Sequence, residues 1–225
     1  MTRPLVGSFH HIHTAIGGEL LKLEEHARMV DPSNAESVGG FAGHLGMLEA
    51  IQETHSHEEE NALWPKIEAK LPGATASFLF DHEAERRYFV EIKAALGEVQ
   101  AGGDKQAAAA RLYRTCVALS AHLTHHMAKE EAQPYSQFAD AMTPEEEAKV
   151  IYGIYEGLPE EMVTQAMPWF ASYQSPADIV DEAETLLTMA RPEKARLMLN
   201  AVVKSLPPEK WAELEKLKPS LAEFR

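Results

Sequence analysis

Apolar residues recur along this chain at intervals of three and four residues, which is the spacing of one face of an α-helix. In the first such segment the apolar face carries Ile12, Ile16, Leu20, Leu23 and Ala27. The alternating runs of β-branched residues that are typical of strands are almost absent. The pattern therefore predicts an all-α fold.

Clusters of proline and glycine divide the first two-thirds of the chain into four long helical segments. The predicted helices cover residues 8–30, 35–65, 75–100 and 104–132. The third stops at Gly102-Gly103, and Asp104 is a suitable N-cap for the fourth. Because long helices with short connections pack antiparallel, we expect an up-down-up-down four-helix bundle.

The last third of the chain is expected to form a smaller helical region. Residues 143–225 show four or five shorter helical segments, and Thr143–Glu146 has the pattern of a capping box with proline at the first helical position. We therefore expect two domains, the bundle over residues 1–140 and a C-terminal helical extension over 141–225.

Two of the long helices carry the same motif, a histidine followed four residues later by a glutamate. His55 and Glu59 stand near the end of the second helix, and His126 and Glu130 near the end of the fourth. This spacing places both side chains on one helix face, about one turn apart, where they can bind one metal ion or two adjacent ions. Solvated helix faces also pair histidine with glutamate, but two copies on two helices favour a metal site.

The predicted topology brings further histidines to the same level. In an antiparallel bundle the starts of the first and third helices lie beside the ends of the second and fourth. His13 stands near the start of the first helix, and His82 near the start of the third. Six candidate ligands are thus expected to converge at one end of the bundle: His13, His55, Glu59, His82, His126 and Glu130.

The segments HTAIGGEL, HSHEEENALWP, FDHEAERR and HMAKEE, which contain these six residues, resemble the hemerythrin or HHE cation-binding family. The resemblance covers roughly residues 8–140. It implies a non-haem di-iron site that Glu59 and Glu130 bridge, with an open position for O2 or a similar small ligand. Carried over position by position, it implies the same six ligands.

The resemblance leaves one ligand position open. The oxygen-carrying hemerythrins have a second histidine one turn after that of the third helix, whereas this chain has Arg86 there, which cannot bind a metal. His122, one turn before the second motif, is the candidate that we expect to supply the missing ligand. His10 is an alternative, and Glu85 is a less favoured carboxylate candidate.

Other residues near the motifs have ordinary structural interpretations. We interpret Glu58 and Glu60 as part of a solvated helix face, and His11 as structural. Gly17 and Gly18 interrupt a helix, where each glycine costs roughly 1 kcal/mol relative to alanine. They serve either close packing of helices or space above a metal ion.

The charge composition argues against two classes of partner, nucleic acids and membranes. The chain has 35 acidic and 21 basic residues among 225, a net charge of −14, and no basic stripe, so we expect no nucleic-acid or membrane partner. The N-terminus lacks the apolar run of a secretory signal, and no segment approaches the roughly 20 apolar residues of a membrane span. We expect a soluble cytoplasmic protein.

The donor set indicates the chemistry. Cys116 is the single cysteine, and histidine with carboxylate suits iron or manganese and also accepts zinc. The resemblance favours two iron ions. Ferritin-like di-iron enzymes contain more carboxylate ligands than this predicted site. We therefore expect a sensor, store or scavenger that binds O2, NO or peroxide. The alternatives are a di-iron enzyme that reduces NO or peroxide or oxygenates an organic substrate, and an iron-dependent regulatory module whose C-terminal helices contact a protein partner or a second copy.

Overall fold

The computed structural model describes residues 4–101 and 103–225, and every regular element in them is helical. The α-helices are α1 (Pro4–Met29), α2 (Ala35–Glu58), α3 (Trp64–Lys70), α4 (Ala76–Ala101), α5 (Lys105–Glu130), α6 (Ser136–Ala141), α7 (Pro144–Gly157), α8 (Glu160–Tyr173), α9 (Pro176–Met189), α10 (Pro192–Ser205) and α11 (Pro208–Leu217). A 3₁₀ segment, Pro219–Phe224, follows. The all-α prediction is confirmed for these residues, and the predicted stop at Gly102 lies outside them. None of the described helices is both long enough and apolar enough to cross a membrane.

Side-chain caps define where several helices begin. The side chain of Asn34 accepts hydrogen bonds from backbone N–H groups in the first turn of α2, and Asp104 does the same for α5, as predicted. Thr143 and Glu146 form the predicted capping box at the start of α7. These caps satisfy N–H groups that the helix itself leaves without a partner.

Two of the long helices are each followed by one π turn, which is wider than an α-helical turn. Glu59–Leu63 joins α2 to α3, and Glu131–Tyr135 joins α5 to α6. Pro65 follows the first π turn and Pro134 lies inside the second, and neither proline has an N–H for the regular helical hydrogen bond. The predicted end of the fourth helix near residue 132 agrees with the end of α5 at Glu130, and the π turn and the short helix α6 follow it.

The chain divides into two compact units. The first comprises Met1–Ala15 with Gln133–Arg225, and the second comprises Ile16–Ala132. The predicted domains, 1–140 and 141–225, stay a prediction. The compact units differ from them by grouping the first half of α1 with the C-terminal helices.

A buried hydrogen-bond network explains that grouping in the first unit. The hydroxyl of Tyr155 on α7 donates to Glu182 on α9 at 2.7 Å and lies 3.0 Å from the hydroxyl of Ser8 on α1. Nδ1 of His11 lies 3.4 Å from the same Glu182 carboxylate. His11 therefore has the structural role expected of it, and it joins α1 to the C-terminal helices.

Apolar faces fill the second unit. Its fully buried apolar side chains include Ile16, Leu20, Leu23, Phe41, Leu45, Leu48, Leu63, Ile67 and Ile92. Each such side chain contributes roughly 1.5–3 kcal/mol by leaving water. At the rims, Lys93 on α4 pairs with Glu49 on α2, and Arg111 on α5 pairs with Glu98 on α4, each at 2.6 Å.

The half-buried carboxylate of Glu68 organises the turn between α3 and α4. Glu68 accepts hydrogen bonds from the backbone N–H groups of Gly73 and Thr75, each at 2.8 Å, and from the hydroxyl of Thr75 at 2.6 Å. These bonds hold the pKa of Glu68 below its ordinary value. The turn sets the start of α4 and therefore the position of His82.

Candidate metal centre

The two predicted histidine–glutamate motifs lie at the ends of α2 and α5, with both side chains of each motif on one face. Nε2 of His55 is 3.3 Å from Oε1 of Glu59, and Nε2 of His126 is 3.1 Å from Oε1 of Glu130. Both glutamates are completely buried, at 0% exposure. A buried carboxylate is costly unless a hydrogen bond or a cation compensates its charge.

Two groups of potential ligand atoms share both glutamates. Glu59, His82, His126 and Glu130 each offer one atom, and these atoms lie within 4.8 Å of one another. His55 also offers an atom within 4.8 Å of atoms of Glu59 and Glu130. The structure therefore brings five of the predicted residues of the second unit together.

The ring of His82 is held from its outer side. Its Nδ1 donates to Glu60 at 2.8 Å, and its face stacks on Trp64 with ring centroids 4.6 Å apart. Its Nε2 points inward, 3.2 Å from Oε2 of Glu59, but is not aligned for a hydrogen bond. The imidazole is thus fixed with one buried nitrogen directed at the carboxylate.

His126 is held in the same way by a residue of α4. Its Nδ1 donates to Asp81 at 3.2 Å, and Asp81 also pairs with Lys129. Its Nε2 faces Glu130 and makes no aligned hydrogen bond with the described residues. Histidines that bind metals nearly always donate their other ring N–H to such a group, which directs the free nitrogen at the ion.

The distances and the donor atoms fit a bound metal ion. With metal–ligand bonds of about 2.1 Å, two ligand atoms at right angles are about 3.0 Å apart. The three nitrogen–oxygen separations within the groups, 3.1, 3.2 and 3.3 Å, agree with that value. Imidazole nitrogen and carboxylate oxygen suit iron, manganese or zinc.

Electrostatics also favours a cation. Burial opposes a positive charge on His82, but Glu59, Glu85 and Glu60 outweigh it and raise the pKa of His82 to about 9. Burial lowers the pKa of His126 and raises that of Glu85. Several carboxylates in one buried region create a negative potential that a metal ion neutralises.

His13 lies in the first unit, on the first half of α1. It is 4% exposed, and its ring centroid is 6.5 Å from that of Phe9 and 6.0 Å from that of Tyr135. His10, the alternative candidate, is exposed on the same helix. Of the two, His13 has the burial of a ligand.

His122 lies outside both groups, contrary to the expectation that it supplies the missing ligand. Its side chain is 24% exposed, and its Nε2 is 3.3 Å from the backbone carbonyl of Asp81. That nitrogen is 3.9 Å from Oε1 of Glu85. The register of α5 against α4 turns His122 toward α4 rather than toward the two glutamates.

The interpretation of Glu60 as part of a solvated face is wrong. Besides His82, Glu60 accepts a hydrogen bond from Arg86 at 3.0 Å, and Arg86 also bonds to Glu53. Arg86 therefore supports the carboxylate that orients His82. Sequence reasoning also missed Asp81, because no spacing rule relates a residue of α4 to an imidazole of α5.

Gly17 is not required for close packing of helices. A methyl group added to it would meet no atom within 4 Å beyond its own stretch of helix. Two residues further along, Glu19 accepts a 2.5 Å hydrogen bond from His44, which is also hydrogen bonded to His26. The close-packing interpretation of the glycine pair is therefore wrong at Gly17, where the structure leaves open space.

Comparisons with known proteins agree with this chemistry. The model of the hemerythrin HHE cation-binding domain matches residues 5–155. A BRUTUS-like zinc finger protein of Arabidopsis thaliana is 20% identical over 192 residues, covering 85% of this chain and 15% of that protein. The zinc finger protein BRUTUS of the same plant is 21% identical over 180 residues, covering 80% and 14%. The chain thus spans about one-seventh of the length of these relatives. No solved structure matches. Because the family model matches more than half of the chain, this protein belongs to the hemerythrin HHE cation-binding domain family.

Proposed function

We propose that this protein holds two iron ions and binds O2, or a similar small ligand such as NO or peroxide, as a sensor, store or scavenger. The observation that carries the proposal is that Glu59 and Glu130 belong to both buried groups of ligand atoms. Membership of a cation-binding family supports metal binding. A donor set of imidazole and carboxylate without thiolate supports iron.

Each ion takes two histidines and shares the two glutamates. The proposed ligands are His13, His55, Glu59 and Glu130 for the first ion, and His82, His126, Glu59 and Glu130 for the second. The assignment of His13 rests on its burial and on its place near the start of α1. It also assumes that α1, α2, α4 and α5 form an up-down-up-down bundle.

The residues around the ligands keep them ready to bind. Glu60 and Asp81 accept the Nδ1 protons of His82 and His126, so Nε2 of each ring is the nitrogen directed inward that would bind the ion. Trp64 covers one face of the His82 ring and excludes water from it. A pair of iron ions held in this way supplies a reversible binding position for a small ligand.

The balance of ligands favours binding over oxygenation. Four imidazoles and two carboxylates carry less negative charge than the four glutamates and two histidines of ferritin-like di-iron enzymes. Fewer anionic ligands stabilise ferrous iron relative to more oxidised states. The site is therefore suited to take up and release its ligand without consuming it.

The decisive experiment is the iron content of the purified chain, with its optical spectrum after reduction and after exposure to air. We expect two irons per chain, and a return to the ferrous spectrum when O2 is removed. Glu59→Ala should lose both ions, because Glu59 serves each of them. Glu58→Ala, which changes the neighbouring carboxylate, is the matched control and should retain both.

One metal per chain in the unmutated protein would contradict a two-ion site. Sustained consumption of O2, NO or peroxide in the presence of a reductant would show an enzyme instead. Either result is visible without knowledge of the physiological ligand.

An iron-dependent regulatory module is the second candidate. The relatives are zinc finger proteins about seven times as long as the match, which favours a domain that acts within a larger protein. If iron binding regulates a surface that contacts a partner, it should change the amide hydrogen exchange of helices α7–α11. Exchange that is identical in the iron-free and iron-loaded chain would exclude this candidate.

A further inference from the structure

A buried carboxylate of α4 remains outside the six proposed ligands. Glu85 is 2% exposed and stands one turn after His82. Its Oε2 accepts a 2.9 Å hydrogen bond from the amide of Gln52, which also lies 3.3 Å from the hydroxyl of Ser56. Its Oε1 is buried and makes no hydrogen bond with any described residue. One oxygen is thus held in place, while the other has no protein hydrogen-bond donor.

The unpartnered oxygen lies beside the second ion's ligands. Oε1 of Glu85 is 3.7 Å from Nε2 of His126, the nitrogen that faces Glu130. In an octahedral site with bonds of about 2.1 Å, ligand atoms are between about 3.0 Å and about 4.2 Å apart. The separation of 3.7 Å falls within that range, so both atoms can bind one ion.

A structural role alone does not explain this carboxylate. The nearby cations have other partners, since Arg86 binds Glu53 and Glu60 while Lys129 binds Asp81. A glutamine at this position could accept the same hydrogen bond from Gln52 without burying a charge. Burying a carboxylate without a compensating cation is strongly unfavourable. A carboxyl group at this position, with one buried oxygen that no described residue donates to, therefore points to a cation next to Oε1.

We propose that Glu85 is the seventh protein ligand, binding the second ion through Oε1. It takes the role for which His122 was the expected residue, and Nε2 of His122 lies 3.9 Å from the same oxygen. This inference rests on the proposed two-iron function. It adds a third carboxylate to the site and makes the environment of the second ion more anionic than that of the first.

The test compares Glu85→Gln with the unmutated full-length chain. Glutamine keeps the shape and the hydrogen bond from Gln52 but does not offer a carboxylate. In anaerobic ferrous titrations against a competing chelator, we expect the second ion to bind about tenfold more weakly or worse, with the first unchanged. Glu83→Gln, an exposed carboxylate of the same helix, is the matched control and should titrate like the unmutated chain.

Thermal unfolding of the iron-free proteins separates ligation from packing. Glu85→Gln keeps the shape of the side chain and its hydrogen bond from Gln52, so the iron-free variant should melt no lower than the unmutated chain. A lower melting temperature with unchanged iron affinity would mean that Glu85 serves packing, and would overturn the inference.

Failure of the inference and failure of the proposed function give different results. If the unmutated chain binds two irons and Glu85→Gln binds both equally well, only the inference fails. If the unmutated chain binds a single metal, the two-iron function fails, and the inference fails with it. Should the variant not fold, a crystal structure of the iron-loaded unmutated chain decides. An Oε1–iron distance of about 2.0–2.2 Å supports ligation, and one beyond about 3 Å overturns it.

Discussion

Removing the Asp81 carboxylate should weaken one of the two proposed metal positions and spare the other. Asp81 accepts the Nδ1–H of His126, a proposed ligand of the second ion, at 3.2 Å, and it also pairs with Lys129. Asp81→Ala deletes the group that orients the His126 ring. Alanine keeps the helix intact, because it has the highest intrinsic helix propensity.

The expected loss is about tenfold in affinity for the second ion. Substituting a residue that supports a metal-bound histidine costs roughly 10–100-fold in affinity. Asp81 should lie at the lower end, because its side chain is 21% exposed and the bond to His126 is long for a charged pair. A hydrogen bond to a charged group contributes about 1.5 kcal/mol at the low end of its range, and about 1.4 kcal/mol corresponds to a tenfold change. The two estimates agree.

A chelator-competition titration with ferrous iron under anaerobic conditions measures the two affinities separately. The matched control is Glu83→Ala, which removes an exposed carboxylate from the same helix, α4. Unchanged affinity at both positions would refute the orienting role of Asp81. Equal loss at both positions would show that the variant disturbs folding rather than one ligand.

Two predictions concern stability. Tyr155→Phe should lower the free energy of unfolding by about 1.5–3 kcal/mol, because it removes a buried hydrogen bond to the Glu182 carboxylate. The control Tyr152→Phe, at an exposed position, should leave the free energy of unfolding nearly unchanged. Urea unfolding measures both variants. The depressed pKa of Glu68 means that its ionised form stabilises the fold above the ordinary carboxyl pKa, and that this stabilisation disappears as the pH falls through the folded-state pKa. Glu68→Gln should therefore melt at a lower temperature at neutral pH and converge with the unmutated chain in acid, and a melting difference that persists in acid would contradict the pKa argument.

Residues related by helical spacing could be placed from the sequence alone. The interval of four brings His55 to Glu59 and His126 to Glu130, because a helix turns through nearly a full circle in that interval. Caps such as Asp104 are likewise local, since the side chain bonds to its own first turn. Local geometry depends only on neighbouring residues, which the sequence states directly.

Residues that depend on the register between helices could not be placed. Asp81 supports His126, and Glu60 supports His82, across two different helix pairs. Their heights along the helices depend on how side chains interlock, which no periodicity encodes. His122 shows the same limit, because its interval from His126 suits a ligand while its actual orientation is set by α4.

The π turn is the other feature that spacing did not predict. A proline inside a helical pattern normally ends or kinks the helix, and the predicted end of the fourth helix lies just before Pro134. The wider turn over Glu131–Tyr135 offers an alternative that keeps the chain helical. Such turns occur frequently at functional sites, and here each one begins directly at or after a glutamate of the candidate centre.

The stacking of Trp64 on His82 gives the centre an optical reporter of its own. The two rings are nearly parallel, at 18°, with centroids 4.6 Å apart. An excited indole loses its energy rapidly to an open-shell ion held by the adjacent ring, so iron at His82 should dim the ultraviolet emission of this tryptophan. Trp169 and Trp211 belong to the other compact unit and supply the emission against which the loss is read. Filling of the second metal position can therefore be followed in real time, in the unlabelled chain and at low concentration.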